Sequence, residues 1–552
     1  MSRLERGRKL VRRYRIDRRL PPPVLDLYRT SSSLRSADAV ARTAAESRGV
    51  IGHPTTGGVD VARLGSRRMH TAGDLSMSTH ELGGRTSAVV SSTLDDAGIA
   101  HFVADRRGDG LVFGVELSDR SAALEALTAI DESAWYLEWS DGSGTGIEAL
   151  SDAAASRRVR RARSWNVFRA YRWGDRVVGP EQGADVTFWD PGASGLLEKI
   201  GSRGQDRFDP SSPSTTETIG GRTYPGRTAF PVGSNFEFVD DPIDLVYTWV
   251  DGADPDWAAA FRTTAQSAGR TLDETALDPA RYRSRDELRY SLRSAWAHCG
   301  WARTIWIVTA GQRPDWLVDD PRVRIVDHAD ILPPDALPTF NSHAIEASLH
   351  HIDGLADQFV YFNDDMFIAR PIRPELFFTP NGLARVFQSD ARPPGVEDDD
   401  TLAVDTGALR GRELLAQRFG RVVTAKPYHS PYPLLRSVME EMESEFADIV
   451  TRTQRSRFRS PTDLSTAASF AQHYALATRR GVLGDVSTEY VHVESGRLRR
   501  HLDRIRLGRD LDTFCINETS DTGGSHEERE TLIADFFTSM FPIAAPWEAS
   551  GA

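Results

Sequence analysis

The sequence predicts an α/β protein, with a doubly wound, mostly parallel sheet preceded by a smaller α+β domain. Three observations lead there. From Ile243 onward, short apolar runs alternate with amphipathic helical stretches, the pattern of strand–helix–strand layering. The first run, "IDLVYTWV", is largely apolar on both faces, as a strand covered on two sides must be. Upstream, between about Thr86 and residue 200, helical and aromatic strand patterns mix without that regularity.

Bulk properties agree with this division. A chain of 552 residues exceeds what one core usually encloses, and 40% hydrophobic residues suffice for ordinary packing. A net charge of −12 argues against a general nucleic-acid binder. Cys299 and Cys515 are the only cysteines, which excludes a disulfide scaffold and suits a reducing compartment. Lysine occurs only at Lys9, Lys199 and Lys426 among abundant arginine, a bias expected of GC-rich coding.

The elements follow in order. Residues 1–84 read as a basic arm rich in Arg, Ser, Thr and Gly. Its start, "MSRLERGRKLVRRYRIDRRL", lacks the apolar core of a signal peptide. No stretch offers the roughly 18 apolar residues that span a bilayer. The arm is expected to be solvated and partly disordered, with contact to anionic lipid as the alternative. Residues 85–200 form the small domain: "SAVVSSTLDDAGIAHFVAD" is helix then strand, "GLVFGVEL" a strand, "DRSAALEALTAI" a helix, and "AWYLEWS" and "WNVFRAYRW" aromatic strands. Residues 201–240 have linker composition.

The catalytic unit is expected over 241–520. "IDLVYTWV" is its first strand. "SRDELRYSLRSAWAH" is a helix, with Ser284 and Glu287 as a capping box and Leu288, Leu292, Ala295 and Trp296 on its apolar face. "TIWIVT" and "VRIV" are strands, "SHAIEASLHHI" is a helix with Ser342 as N-cap, and "QFVYFN" is a further strand. Residues 521–552 form a C-terminal helix and tail.

Ligands of such sheets sit beyond the carboxyl ends of the strands. Three ends carry unusual chemistry: Asp251-Gly252-Ala253-Asp254-Pro255, Thr309-Ala310-Gly311-Gln312, and Asn363-Asp364-Asp365. In "FVYFNDDMFI", two adjacent carboxylates with apolar flanks repel each other and lose hydration. A divalent cation relieves both problems. Hard oxygen ligands suit Mg2+ or Mn2+, which would also hold nucleotide phosphates. The competing reading is an acidic turn between two strands. Asp251-Gly252 is equally compatible with a plain turn. Arg283 and Arg289 flank a helix N-terminus that favours anionic phosphate, while Asp286 and Glu287 are accounted for by the helix dipole and capping. "TFNSHAIE" offers Asn341, Ser342, His343 and Glu346 for sugar or acceptor contacts. The run Glu397-Asp398-Asp399-Asp400 reads as a solvated loop.

Four segments resemble, in order, the conserved blocks of the Stealth family. "IDLVYTWVDGADPDW" resembles the first. "RYRSRDELRYSLRSAWAHCGWARTIWIVTAGQRPDWL" with "LPTFNSHAIEASLHHIDGLADQFVYFNDDMFI" resembles the second. "KPYHSPYPLLRSV" through "SRFRSPTDL" resembles the third, and "DTFCINET" the fourth. The resemblance covers roughly 240–520 and leaves residues 1–235 without a role. It implies a Rossmann-like or GT-A-like catalytic sheet in a bacterial transferase of capsule, exopolysaccharide or cell-wall glycopolymer synthesis. The implied reaction moves an N-acetylhexosamine- or hexose-1-phosphate from a UDP-sugar such as UDP-GlcNAc to a glycan hydroxyl. It forms a phosphodiester and releases UMP. A metal-dependent glycosyltransferase releasing UDP is the alternative. A binding protein with a dead catalytic domain is disfavoured, because Asp364, Asp365, His429 and Arg459 are all present.

The resemblance also implies residue roles. Asp364 and Asp365 would hold the metal. His429, in "YHSPYP" at the family's H-x-P position, would be the general base. Arg459 would stabilise phosphate charge. Asp244 would be an acidic group near the nucleotide. Trp249, Asp251, Gly252, Arg283, Arg289, Gln312, Asn341, His343, Asn363 and Asn517 would line the substrate pocket. The expected location is cytoplasmic, with the basic arm able to reach the inner face of the plasma membrane. The sugar, the acceptor and the oligomeric state stay open.

Overall fold

A computed structural model describes residues 61–64, 67–174, 176–202, 206–268, 282, 284–393, 403–508, 510–518 and 526–549. Residues 1–60 of the basic arm, Arg283 and the acidic run 397–400 lie outside these.

An eight-stranded sheet drawn from residues 101–208 forms the N-terminal unit. Helices Thr79–Asp96 and Arg120–Thr128 bury Val90, Leu94, Leu124 and Leu127 with Leu137, Val167 and Val186 of that sheet. Order begins before the expected boundary: Ser78 and Glu81 close a reciprocal capping box, and Met69 and Leu75 are already buried. The stretch expected as a linker carries a hairpin, Ser214–Ile219 with Arg222–Arg227, whose Tyr224 joins the N-terminal core. Gly220 and Gly221 make its turn at φ 58° and 75°, a conformation that favours glycine.

The second unit is built on β1 (Ile243–Thr248), β2 (Ile305–Thr309), β3 (Val323–Asp327), β4 (Gln358–Asn363) and β6 (Tyr432–Leu435). Their order is β3-β2-β1-β4-β6; the first four are parallel and β6 is antiparallel to β4. Leu245, Val246, Tyr247, Ile307, Val308 and Phe359 are fully enclosed. Their cluster includes Leu288, Leu292 and Trp296 of α2 (Glu287–His298) and Val438, Met439 and Met442 of α4 (Arg436–Glu445). A smaller sheet pairs β5 (Met366–Ile368) with β8 (Thr513–Asn517), and β8 with β7 (Thr488–His492). Helix α6 (His526–Met540) packs Phe536 and Phe537 on Phe367 and Phe514 of that sheet.

Two helix starts differ from expectation. Helix α2 has Asp286 as N-cap at φ 63°, without a side-chain cap. Glu287 turns back to the Arg285 N–H instead of the cap residue, and Ser284 Oγ accepts from Asp286 N at 3.3 Å, so no capping box forms. Helix α3 (Ser342–Glu346) is capped by Asn341, whose side chain accepts from His343 N at 3.1 Å. It ends early, and the chain continues as a 3-10 turn at Leu349–His351. Ser348 Oγ donates back to Ala344 O at 3.1 Å, a contact that disturbs the helical ladder.

Candidate functional site

Sheet order decides what meets what. β1 lies between β2 and β4, with Thr248 level with Val308 and Asn363. The Asp251 loop, the Gln312 loop and the Asp364-Asp365 turn therefore share the carboxyl edge. β6 runs the other way, with Tyr432 opposite Tyr361, so it enters the sheet from this edge and brings His429 to it. β8 is antiparallel to β5, with Cys515 opposite Met366, and delivers Asn517 to the same place.

Asp364 and Asp365 form the tight turn between β4 and β5. Asp365 is buried. Its Oδ2 accepts from Asn517 Nδ2 at 2.6 Å and from Cys515 Sγ at 3.3 Å. Its Oδ1 has no hydrogen-bond partner and faces His429 Nε2, equally unpartnered, across 3.9 Å. The other ring nitrogen, His429 Nδ1, lies 3.1 Å from the Tyr432 hydroxyl, and the ring meets Tyr490 edge-on. Burial pushes the Asp364 carboxyl far above the usual range, and the charges of Asp365 and Glu287 add to it. Burial also opposes ionisation of Asp365, but His429, Asn517 and Cys515 hold its carboxyl below the ordinary value. Glu287 is pushed up to about 7 by burial, against the Arg285 N–H, with the Asp365 charge contributing. Sequence reasoning had assigned Glu287 to capping alone.

A divalent cation fits this cluster. Two neighbouring carboxyl groups resist joint ionisation without a counter-charge, and one buried carboxylate oxygen is left with nothing to accept. Asp365, His429 and Cys515 present ligand atoms within 4.8 Å of one another. The carboxylates suit Mg2+ or Mn2+; the imidazole and thiol make the rim softer.

Arg459 meets this edge at the start of α3, where its Nη2 donates to Ser342 Oγ at 2.8 Å. One turn further, Glu346 is buried with Oε2 unpartnered, and its charge acts on Tyr361 and Tyr432. Asn363 and Trp249 are half-buried at the edge, and Trp249 N donates to Val308 O at 3.0 Å.

Other expected contacts fall elsewhere. Asp244 is the second residue of β1, at the amino end of the sheet. It is fully enclosed and accepts from Arg303 Nε at 2.8 Å, Arg303 Nη2 at 2.5 Å, Trp306 Nε1 at 3.0 Å and Ala356 N at 2.9 Å. A nucleotide at the other end cannot reach it. Arg289 pairs with Glu548 at 2.6 Å and lies over Trp316. Asn341 is fully buried, with its amide donating to Ser456 O at 2.9 Å and Asp463 Oδ2 at 2.8 Å. His343 is buried beside Asp463. Gln312 exchanges two hydrogen bonds of 3.0 Å with the Asp251 backbone, so it braces a loop. A Cβ on Gly252 would lie 2.4 Å from Tyr282 O, so the close approach is to the protein's own backbone. Asp251 Oδ1 accepts from Ala253 N at 2.8 Å. Asp254 Oδ1 accepts from Asp256 N and Trp257 N, both at 2.9 Å, and so caps α1 (Pro255–Ala268).

One structural support had no local signal. Trp257 and Phe261 of α1 pack with Tyr282, Phe340 and Phe458. This aromatic cluster ties the loop after β1 to the two segments that carry Ser342 and Arg459, and Phe340 N donates to Arg457 O at 2.7 Å.

Comparison with known proteins bears on this site. Residues 241–263, 281–386, 428–476 and 503–552 match Stealth protein conserved regions 1, 2, 3 and 4. An exopolysaccharide phosphotransferase of Streptomyces coelicolor is 39% identical over 482 residues, covering 82% of this chain and 88% of the relative. A second from that organism is 37% identical over 482 residues, covering 83% and 81%. The exopolysaccharide phosphotransferase CpsY of Mycobacterium tuberculosis is 36% identical over 416 residues, covering 73% and 75%.

Proposed function

The chain belongs to the Stealth family, and on that premise we propose that it moves a sugar-1-phosphate from a UDP-sugar to a glycan hydroxyl, releasing UMP. The coarser statement, a phosphotransferase of exopolysaccharide synthesis, is what family and relatives support directly. The observation that carries the finer reading is the pair of buried, unpartnered atoms at the carboxyl edge, Asp365 Oδ1 and His429 Nε2. Such atoms are completed by water or a ligand, and their meeting at the carboxyl edge of a parallel sheet, where ligands of such sheets sit, favours a ligand.

The acceptor oxygen attacks the phosphorus that bears the sugar. The new P–O bond forms as the bond to the bridging oxygen of UMP breaks, and the hydroxyl proton leaves. His429 Nε2 takes that proton. With Nδ1 turned to Tyr432, the ring has Nε2 directed at the site. Arg459 supplies a guanidinium to the phosphate as charge builds, with Ser342 fixing its approach. Asn517 and Cys515 hold Asp365 by one oxygen and leave the other directed at the ligand. Asp364 and Asp365 would hold Mg2+ or Mn2+, which neutralises diphosphate charge when bound. Glu346, whose buried Oε2 has no partner, would accept from a sugar or acceptor hydroxyl.

No helix among the described residues is long and apolar enough to cross a membrane. Contact with an anionic membrane face would rest on the basic residues 1–20. Incubation with a UDP-sugar, Mg2+ and a glycan acceptor, followed by identification of the nucleotide, tests the reaction. UMP is expected, with a fall of about 10²–10⁴-fold in His429→Ala. UDP as the sole nucleotide would replace this reading with glycosyl transfer.

A further inference from the structure

The segment that leads from α3 into β4 sets two histidines side by side. His350 and His351 close the Leu349–His351 turn with ring centroids 4.2 Å apart. Both Nε2 atoms meet one oxygen of Glu443 on α4, at 2.6 Å from His350 and 2.8 Å from His351. The carboxylate is itself fixed. Gln454, at the end of α5 (Ala447–Gln454), donates to its other oxygen at 2.8 Å and to Ala347 O at 3.2 Å.

The His351 tautomer follows from its surroundings. His351 Nδ1 lies 2.9 Å from Ile331 O. A carbonyl only accepts, so Nδ1 carries the hydrogen, and Nε2 of a neutral ring points its lone pair at the carboxylate. Two acceptors 2.8 Å apart repel. Positive charge must lie between them, either a proton on the ring or a metal ion.

We propose that His350, His351 and Glu443 form a second metal site, distinct from the catalytic cluster, for a divalent ion of the Zn2+ class. Two imidazoles and a carboxylate select such an ion over Mg2+. The three ligand atoms lie within 4.8 Å of one another. Ile331 O on one imidazole and the Gln454 amide on the carboxylate are the outer partners that orient ligands in metal centres. The side chains of His351 and Glu443 are 36% and 30% exposed, which gives the ion an entry path and a place for water, while His350 is enclosed. Reaching bonds of about 2.0 Å requires Glu443 to part from both imidazoles by roughly half an ångström or slightly more, which its partly exposed side chain, with that of His351, can accommodate. The ion would staple the turn before β4 to α4 and, through Gln454, to α5.

The test uses the full chain, stripped with a chelator and titrated with Zn2+ in excess Mg2+ against a chromophoric competitor. One Zn2+ per chain is expected. Its affinity should fall in His351→Gln and in Glu443→Gln by more than the roughly 10–100-fold typical of losing an outer partner. Asp365→Asn should keep it. X-ray absorption at the zinc edge should give nitrogen and oxygen neighbours only. If Glu443→Gln does not fold, His351→Gln at the exposed rim still decides. No Zn2+ uptake, uptake lost in Asp365→Asn but kept in His351→Gln, or a sulfur neighbour from Cys515 would each overturn the proposal.

Discussion

Asp244 and Asp365 are buried in neighbouring parts of one sheet layer, and the protein treats them in opposite ways. Asp244, at the amino end of β1, accepts from four donors on three residues. Asp365, at the carboxyl end of β4, has one oxygen doubly partnered and the other facing an unpartnered imidazole. Both carboxylates lose hydration; the chain partners both oxygens of the first and only one oxygen of the second. The comparison separates a charge that holds the fold from a charge that waits for a ligand. His328, which opens the segment after β3, shows a third solution: it is buried and stays neutral.

The largest effect should come from Asp365→Asn. Turnover should fall by on the order of 10³-fold or more. Stability should fall by less than in Asp244→Ala, because the folded site favours the Asp365 charge while one of its oxygens stays unpartnered. Parallel assays of UMP release and urea unfolding check this, and a stability loss as large as in Asp244→Ala would erase the distinction. Next in size is Asp244→Ala. It strands the Trp306 and Ala356 N–H groups and the Arg303 charge, at a cost of about 3 kcal/mol. Turnover per folded molecule should stay within about threefold of the parent. The smallest effect concerns His328. Burial lowers its pKa to about 4 against 6.5 in the unfolded chain. The folded value is depressed, so this contribution is complete above pH 6.5 and lost as pH falls toward 4. By pH 5 the loss is about 2 kcal/mol. Urea midpoints at pH 7.5 and 5 should converge in His328→Leu, and a flat parental profile would remove His328 from the comparison.

The sequence carried some of this plainly. Apolar runs around Asp364 and Asp365 pointed to a pair of carboxylates deprived of water, read there as a metal-holding pair, and strand–helix alternation put them on the ligand edge. His429 and Arg459 needed the family resemblance, since neither has a diagnostic local pattern. Asp244 was misplaced even though its position was readable: the second residue of a parallel strand lies at the end where ligands do not bind. Gly220-Gly221 between alternating residues was a hairpin signal inside a supposed linker. Arg289 and Asn341 were not resolvable by local reasoning. Their partners, Glu548 and Asp463, stand 259 and 122 residues further along, and periodicity carries no information at that range.

That separation has a consequence for how the protein is made. Arg293, inside α2, is buried and bonded to Glu548, which is synthesised 255 residues later. At about 5–20 residues per second, the ribosome needs roughly 13–50 seconds to supply the counter-charge. Until then the nascent sheet carries two arginines, 289 and 293, without their carboxylate. Closure of the catalytic layer is thereby tied to arrival of the segment that carries Glu548, and chains stalled before it should be preferred substrates for chaperones and proteases.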